Sequence, residues 1–146
     1  MKGGKMIKNI LIPLDGSSVA ESKIPEVIKM FKISGQDLNI TLFHAIELMY
    51  LLPRDKEAEY RMLKERSSEF LDEIKKKIEK EGGIRVDVVV KAGKPSVEIC
   101  NYAERNEIDM VVMASHGYGM VASYALGSAT DGVTRHCTKP VLILRV

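Results

Sequence analysis

Apolar runs of strand length alternate with amphipathic stretches of helix length along the whole chain. Residues 7–14 (IKNILIPL) are apolar and β-branched, and Asp15-Gly16-Ser17 bounds them as a turn, which predicts a buried strand. Ser18 and Glu21 have the spacing of a capping box, so a helix is expected from Ser18 to about Ile33. Pro25 falls inside it and removes a backbone donor, which demands a kink or a later start. Gly35 is the natural stop.

Residues 38–45 (LNITLFHA) alternate, with Leu38, Ile40 and Leu42 on one face, and read as a second strand. The polar region 54–81 carries Leu63, Phe70, Leu71, Ile74 and Ile78 at helical spacing, one apolar stripe on a charged helix. Its charges are mixed in sign, as on a solvated face. Gly82-Gly83 ends it. Residues 84–92 (IRVDVVVKA) form a third strand, and Gly93-Lys94-Pro95-Ser96 turns into a helix over 95–106. A fourth strand over 109–114 (DMVVMA) leads to a glycine-rich loop, a helix over 128–137 and a last strand over 140–146 (PVLILRV). Met110, Met113 and Met120 read as core residues.

Strands separated by helices imply parallel βαβ units, hence an α/β fold with an open five-stranded sheet covered by helices on both faces. Ligands bind such sheets beyond the carboxyl ends of the strands, near a topological switch point. The places to search are therefore the loops after Leu14, Ala45, Ala92 and Ala114.

Composition narrows the function classes. The 146 residues suit one domain, with residues 1–5 as a flexible tail (Met6 being an alternative start) and 6–146 as the folded unit. Lys and Arg number 22 against 20 Asp and Glu, and a net charge of +2 argues against a dedicated nucleic-acid binder. No apolar run approaches the ~20 residues that span a membrane, and no cleavable leader is evident, so the cytoplasm is the default location. Cys100 and Cys137 form no CxxC pair and read as small buried hydrophobes. His44, His116 and His136 have no ligand spacing and read as packing and hydrogen-bonding residues. No nucleophile–base arrangement or carboxylate pair suggests catalysis.

The loop after the fourth strand carries the most chemistry. Ala114-Ser115-His116-Gly117-Tyr118-Gly119-Met120 runs on to Gly127-Ser128 at a helix start. Glycines let backbone amides approach a ligand, and a helix N-terminus offers unpaired N–H groups to phosphate. A purely structural turn remains the alternative, since glycines are ordinary turn residues. No Walker A motif is present. Gly117-x-Gly119-x-x-Ala122 matches a loose dinucleotide fingerprint, but the strand after it lacks the acid that would bind ribose.

Taken together, Pro13-x-Asp15-Gly16-Ser17, Gly93-x-Pro95, the segment from Asp109 to Gly117, Leu126-Gly127-Ser128 and Lys139-Pro140-Val141-Leu142 resemble the universal stress proteins of the UspA superfamily over residues 6–146. The resemblance implies a Rossmann-like sheet of the adenine nucleotide alpha hydrolase type, a homodimer formed through the last strand, and a stress-response role. It also implies ATP binding, with AMP or ADP as alternatives. The ATP-binding branch carries Gly-x-x-Gly, nine residues, then Gly followed by Ser or Thr. Gly117, Gly127 and Ser128 fit this pattern, and Ala114 replaces the first glycine.

Transferred residue by residue, the pattern puts Asp15 on the ribose or adenine and Pro13, Leu14 and Ala45 around the base. Ala114, His116, Gly117, Gly127, Ser128 and the amide of Ala129 fall around the phosphates. The segment between Arg105 and Arg135 contains no Lys or Arg, and Tyr118 stands where the family often has a basic residue. Phosphates would then depend on amides, the helix dipole and a bridging Mg²⁺ or Mn²⁺. Slow hydrolysis is the most enzymatic activity expected. An interaction-only protein and, behind it, a small nucleotide-using enzyme are the alternatives.

Overall fold

The computed structural model describes residues 3–33, 35–48, 56–117 and 125–146. The strands are β1 (Asn9–Pro13), β2 (Leu38–Ile46), β3 (Ile84–Ala92), β4 (Met110–Ala114) and β5 (Val141–Leu144), and all pair in parallel in the order β3-β2-β1-β4-β5. The order reverses between β1 and β4, so the switch point lies where their carboxyl ends part.

The period-two pattern sorts the core onto two faces. Ile10, Ile12 and Leu14 join Leu38, Ile40 and Leu42 on one side, under α2 (Ile24–Phe31) and α3 (Lys56–Glu79). Leu11, Phe43, Val111 and Met113 face the other side, under α4 (Pro95–Arg105) and α5 (Ser128–His136). The expected open sheet with helices on both faces is therefore found. Met113 is buried and Met110 packs against the core, while Met120 lies outside the described residues.

Several boundaries differ from expectation for identifiable reasons. The helix expected from Ser18 is two: α1 (Ser18–Glu21) and α2, with Pro25 in the first turn of α2, where its missing donor does no harm. The N-cap of α1 is Ser17 rather than Ser18. Its Oγ accepts from the Ala20 amide at 3.3 Å, while the Ser17 amide itself donates to Asp15 Oδ1 at 2.9 Å. Glu21 does not close a capping box and instead pairs with Lys77 at 3.2 Å. In α3 (24 residues, about 36 Å) only Leu71, Ile74 and Ile78 of the stripe are buried, while Leu63 and Phe70 are half-buried.

β1 begins at Asn9, not Ile7, because Asp109 takes over the backbone before it. The carboxylate accepts from the Lys8 and Asn9 amides at 3.0 and 2.9 Å and pairs with Lys5 at 2.7 Å. Burial pushes this carboxyl upward, but Lys5 and the two amides outweigh it and hold Asp109 below the usual carboxylate range. Such a group stabilises the fold fully above its unfolded pKa and loses that contribution as pH falls through the lower folded value. Asp109→Asn is therefore expected to be less stable than the parent at pH 7 by about 1–3 kcal/mol. In urea unfolding the gap should narrow through the acid range, and a gap independent of pH would refute the assignment.

Candidate functional site

At the carboxyl ends of the strands a cavity of about 480 Å³ opens over the switch point. β1 and the turn after it contribute Pro13, Leu14 and Asp15, and β2 contributes Phe43, His44 and Ala45, with Glu47 beyond. Met113, Ala114, His116 and Gly117 come from β4 and its loop, and Gly127, Ser128, Ala129 and Thr130 from the start of α5. All ten residues singled out in the sequence thus meet around one cavity.

The loop conformations follow from local chemistry. Gly16, at φ 86°, occupies the left-handed region that the Asp15–Ser17 turn requires. Gly117 is needed for closeness rather than conformation: a Cβ built there would land on the Asp15 carboxylate. Gly127 donates to the Ser115 carbonyl at 2.9 Å, and Thr130 Oγ1 donates to the Ala114 carbonyl at 2.9 Å. These bonds fasten the first turn of α5 to the end of β4. The Ser115 amide in turn donates to the Leu144 carbonyl at 2.8 Å, so β5 holds the loop from behind.

The first intrahelical bond of α5 runs from the Asp131 amide to the Gly127 carbonyl. The N–H groups of the preceding turn have no partner within the helix, and Gly127 has no side chain with which to cap them. Ala114 is no obstacle. Among the described residues no non-glycine residue has a positive φ, and Ala114 sits in regular register opposite Leu144. The alanine methyl therefore imposes no backbone strain.

Two features were not expected. Lys94, from the turn between β3 and α4, lines the cavity, so the site has a cation even though the loop between Arg105 and Arg135 supplies none. His44 lines it as well, and its Nδ1 lies 2.7 Å from the Leu14 carbonyl. A carbonyl only accepts, so Nδ1 is the donor in this contact. His116 Nδ1 contacts Ser115 Oγ at 3.2 Å. Tyr118, Gly119 and Ala122, the rest of the loop motif, lie outside the described residues. Among the described residues no three His, Cys, Asp or Glu side chains are placed to hold a metal ion, and no helix is long and apolar enough to cross a membrane.

The geometry has close parallels. Universal stress protein MJ0577 of Methanocaldococcus jannaschii is 30% identical over 158 residues, covering 96% of each chain. The solved structure of MJ0577 superimposes with a TM-score of 0.87 at 31% identity, covering 97% of this chain and 98% of that one. UspA from Lactobacillus plantarum matches with a TM-score of 0.80 at 20% identity, covering 97% and 100%. A family protein from Arabidopsis thaliana matches at 0.69 and 19%, covering 94% and 91%, which speaks to the fold alone. The sequence profile of the Universal stress protein family spans residues 6–145. That match spans nearly the whole chain, and MJ0577 is 30% identical over 96% of it, so the chain belongs to the universal stress protein family.

Proposed function

We propose that the cavity binds an adenine nucleotide, ATP or its products ADP and AMP, as a regulatory ligand in the cytoplasm. The observation that carries this reading is the meeting of Asp15, Gly117 and the uncapped first turn of α5 at one switch point. The close passage of Gly117 leaves the Asp15 carboxylate at the mouth, where it can accept from ribose hydroxyls. Pro13, Leu14, Phe43, Ala45 and Met113 give apolar walls for a base. Ala114, His116 and Gly117 border the phosphates, and Gly127, Ser128 and Ala129 bring the helix N-terminus to them.

The Arabidopsis protein was solved with AMP bound, and a universal stress protein from Archaeoglobus fulgidus in complex with dAMP. A divalent cation, Mg²⁺ or Mn²⁺, fits this reading as an ion held by phosphates and water, since among the described residues the carboxylates lining the cavity are Asp15 and Glu47. Its contribution would be to neutralise phosphate charge. We also read β5, which pairs with β4 on one side only, as the edge that a second copy covers to form a homodimer. Isothermal titration with ATP and Mg²⁺ tests the nucleotide reading: saturable binding is expected, and none at millimolar nucleotide would overturn it.

Lys94 supplies a further test. It is exposed, so its attraction to phosphate is screened, and Lys94→Ala should weaken ATP about 2–5-fold. AMP should be affected less, and the difference should shrink at high salt. Equal weakening of both nucleotides would place Lys94 away from the phosphates.

A further inference from the structure

Two thiols remain outside the cavity chemistry. Cys100 is buried within α4, and Cys137 follows the last turn of α5, partly open to solvent. Although β4 and α5 lie between them in the chain, both pack into the apolar cluster on that side of the sheet. Glu104, one turn after Cys100 on the same face of α4, accepts from the Thr138 amide at 3.3 Å and the Thr138 hydroxyl at 2.9 Å, which ties the residue after Cys137 to that face of α4. Burial pushes the Cys100 thiol up to about 12, with the Cys137 sulfur and then Glu104 adding to the rise. Cys100 therefore keeps its proton at neutral pH, and Cys137 is the sulfur that solvent reaches.

The helices that carry the pair are set at minimal spacing. A Cβ built on Gly132 of α5 would stand 2.6 Å from the Cβ of Ser96 in α4. The helices that carry the two sulfurs are thus held in close contact, and a disulfide would bring the sulfurs to the ~2.0 Å of an S–S bond.

We propose that Cys100 and Cys137 are an oxidisable dithiol, a modification site at which a hydroperoxide forges an intrachain disulfide between α4 and the end of α5. The Cys137 thiolate attacks the peroxide, the O–O bond breaks, and hydroxide leaves as water after taking a proton, so Cys137 becomes a sulfenic acid. The Cys100 sulfur then attacks the Cys137 sulfur and gives up its proton. The S–O bond breaks and a second water leaves. Two thiols and one hydrogen peroxide thus become one disulfide and two waters, with two electrons passing from sulfur to oxygen. Both helices give cavity residues from their N-terminal turns, Ser96 on α4 and Ser128 on α5, so the crosslink would fix the spacing of two cavity walls.

The test is treatment of the reduced, intact protein with hydrogen peroxide, followed by denaturation, alkylation and mass spectrometry. Both thiols should be lost together, with a mass lower by two hydrogens, a faster monomer band on a non-reducing gel and full recovery with dithiothreitol. Thermal melting should shift upward in the oxidised form. In Cys137→Ser, folded by circular dichroism, the Cys100 thiol should survive the same exposure, and Cys137→Ala should repeat the result. Three outcomes would overturn the proposal: crosslinks between chains only, oxidation of Cys137 that leaves Cys100 open to alkylation, or equal loss of the Cys100 thiol in the variants. None of these readouts depends on nucleotide.

Discussion

Gly117→Ala is expected to weaken nucleotide binding about 10–100-fold, the equivalent of one or more hydrogen bonds to a charged group, while leaving the protein folded. The added methyl falls on the Asp15 carboxylate. That carboxylate is not free to swing aside without loss, because Oδ1 accepts the Ser17 amide that sets up the start of α1. Either Asp15 leaves the mouth of the cavity or the loop after β4 retreats, and a ligand spanning both loses its fit. Asp15→Ala should weaken binding to a similar extent, and combining the two should add little, since they disable the same contact. Titration of the three variants, with circular dichroism to verify folding, decides the matter. Unchanged affinity in both single variants would remove Asp15 and Gly117 from the site.

Phe43→Ala is expected to have the largest effect on stability, a loss of about 3–5 kcal/mol. Phe43 is 0% exposed, lies in a strand flanked on both sides, and its ring centroid is 5.5 Å from that of Tyr102. No neighbouring element can collapse into the space, because β1 and β3 hold β2 in register from both sides. Since a domain retains only about 5–15 kcal/mol in total, the melting temperature should drop by about 10 °C. Thermal denaturation measures it directly, and a drop of under about 3 °C would mean that the core closes over the gap.

Strand positions were largely legible because the sheet is buried on both faces, so short apolar runs stand out against charged helices. The alternation of Leu38, Ile40 and Leu42 gave the face of β2 correctly. Pro25 announced the break between α1 and α2, although the two-helix outcome depended on Ser17 being the cap. The late start of β1 was not legible, since it is set by a carboxylate a hundred positions away, Asp109. The buried length of α3 was not legible either: helical spacing marks a stripe but not how much of it is covered.

In the cavity, the residues of the turn after β1, of the loop after β4 and of the start of α5 were found, together with Ala45, but Lys94 and His44 were not. Lys94 was overlooked because cations were sought only within the loop that follows β4. Its signal was present all the same, as the charged residue of a β–α turn after Ala92, one of the loops at the carboxyl edge. His44 offered less, because alternation placed it on the opposite face from Ala45, and its role comes from the Leu14 carbonyl of another strand.

The fastening of the loop after β4 by the Leu144 carbonyl has a consequence for biosynthesis. As the chain leaves the ribosome, β1 and β2 emerge well before β5, whose Leu144 carbonyl steadies the loop after β4. A nascent chain therefore has no complete cavity until β5 has emerged. On the proposed reading, an adenine nucleotide would meet no complete site on a chain whose β5 has yet to emerge. It would act as a late clamp on a chain already folded, so occupancy would report on folded molecules.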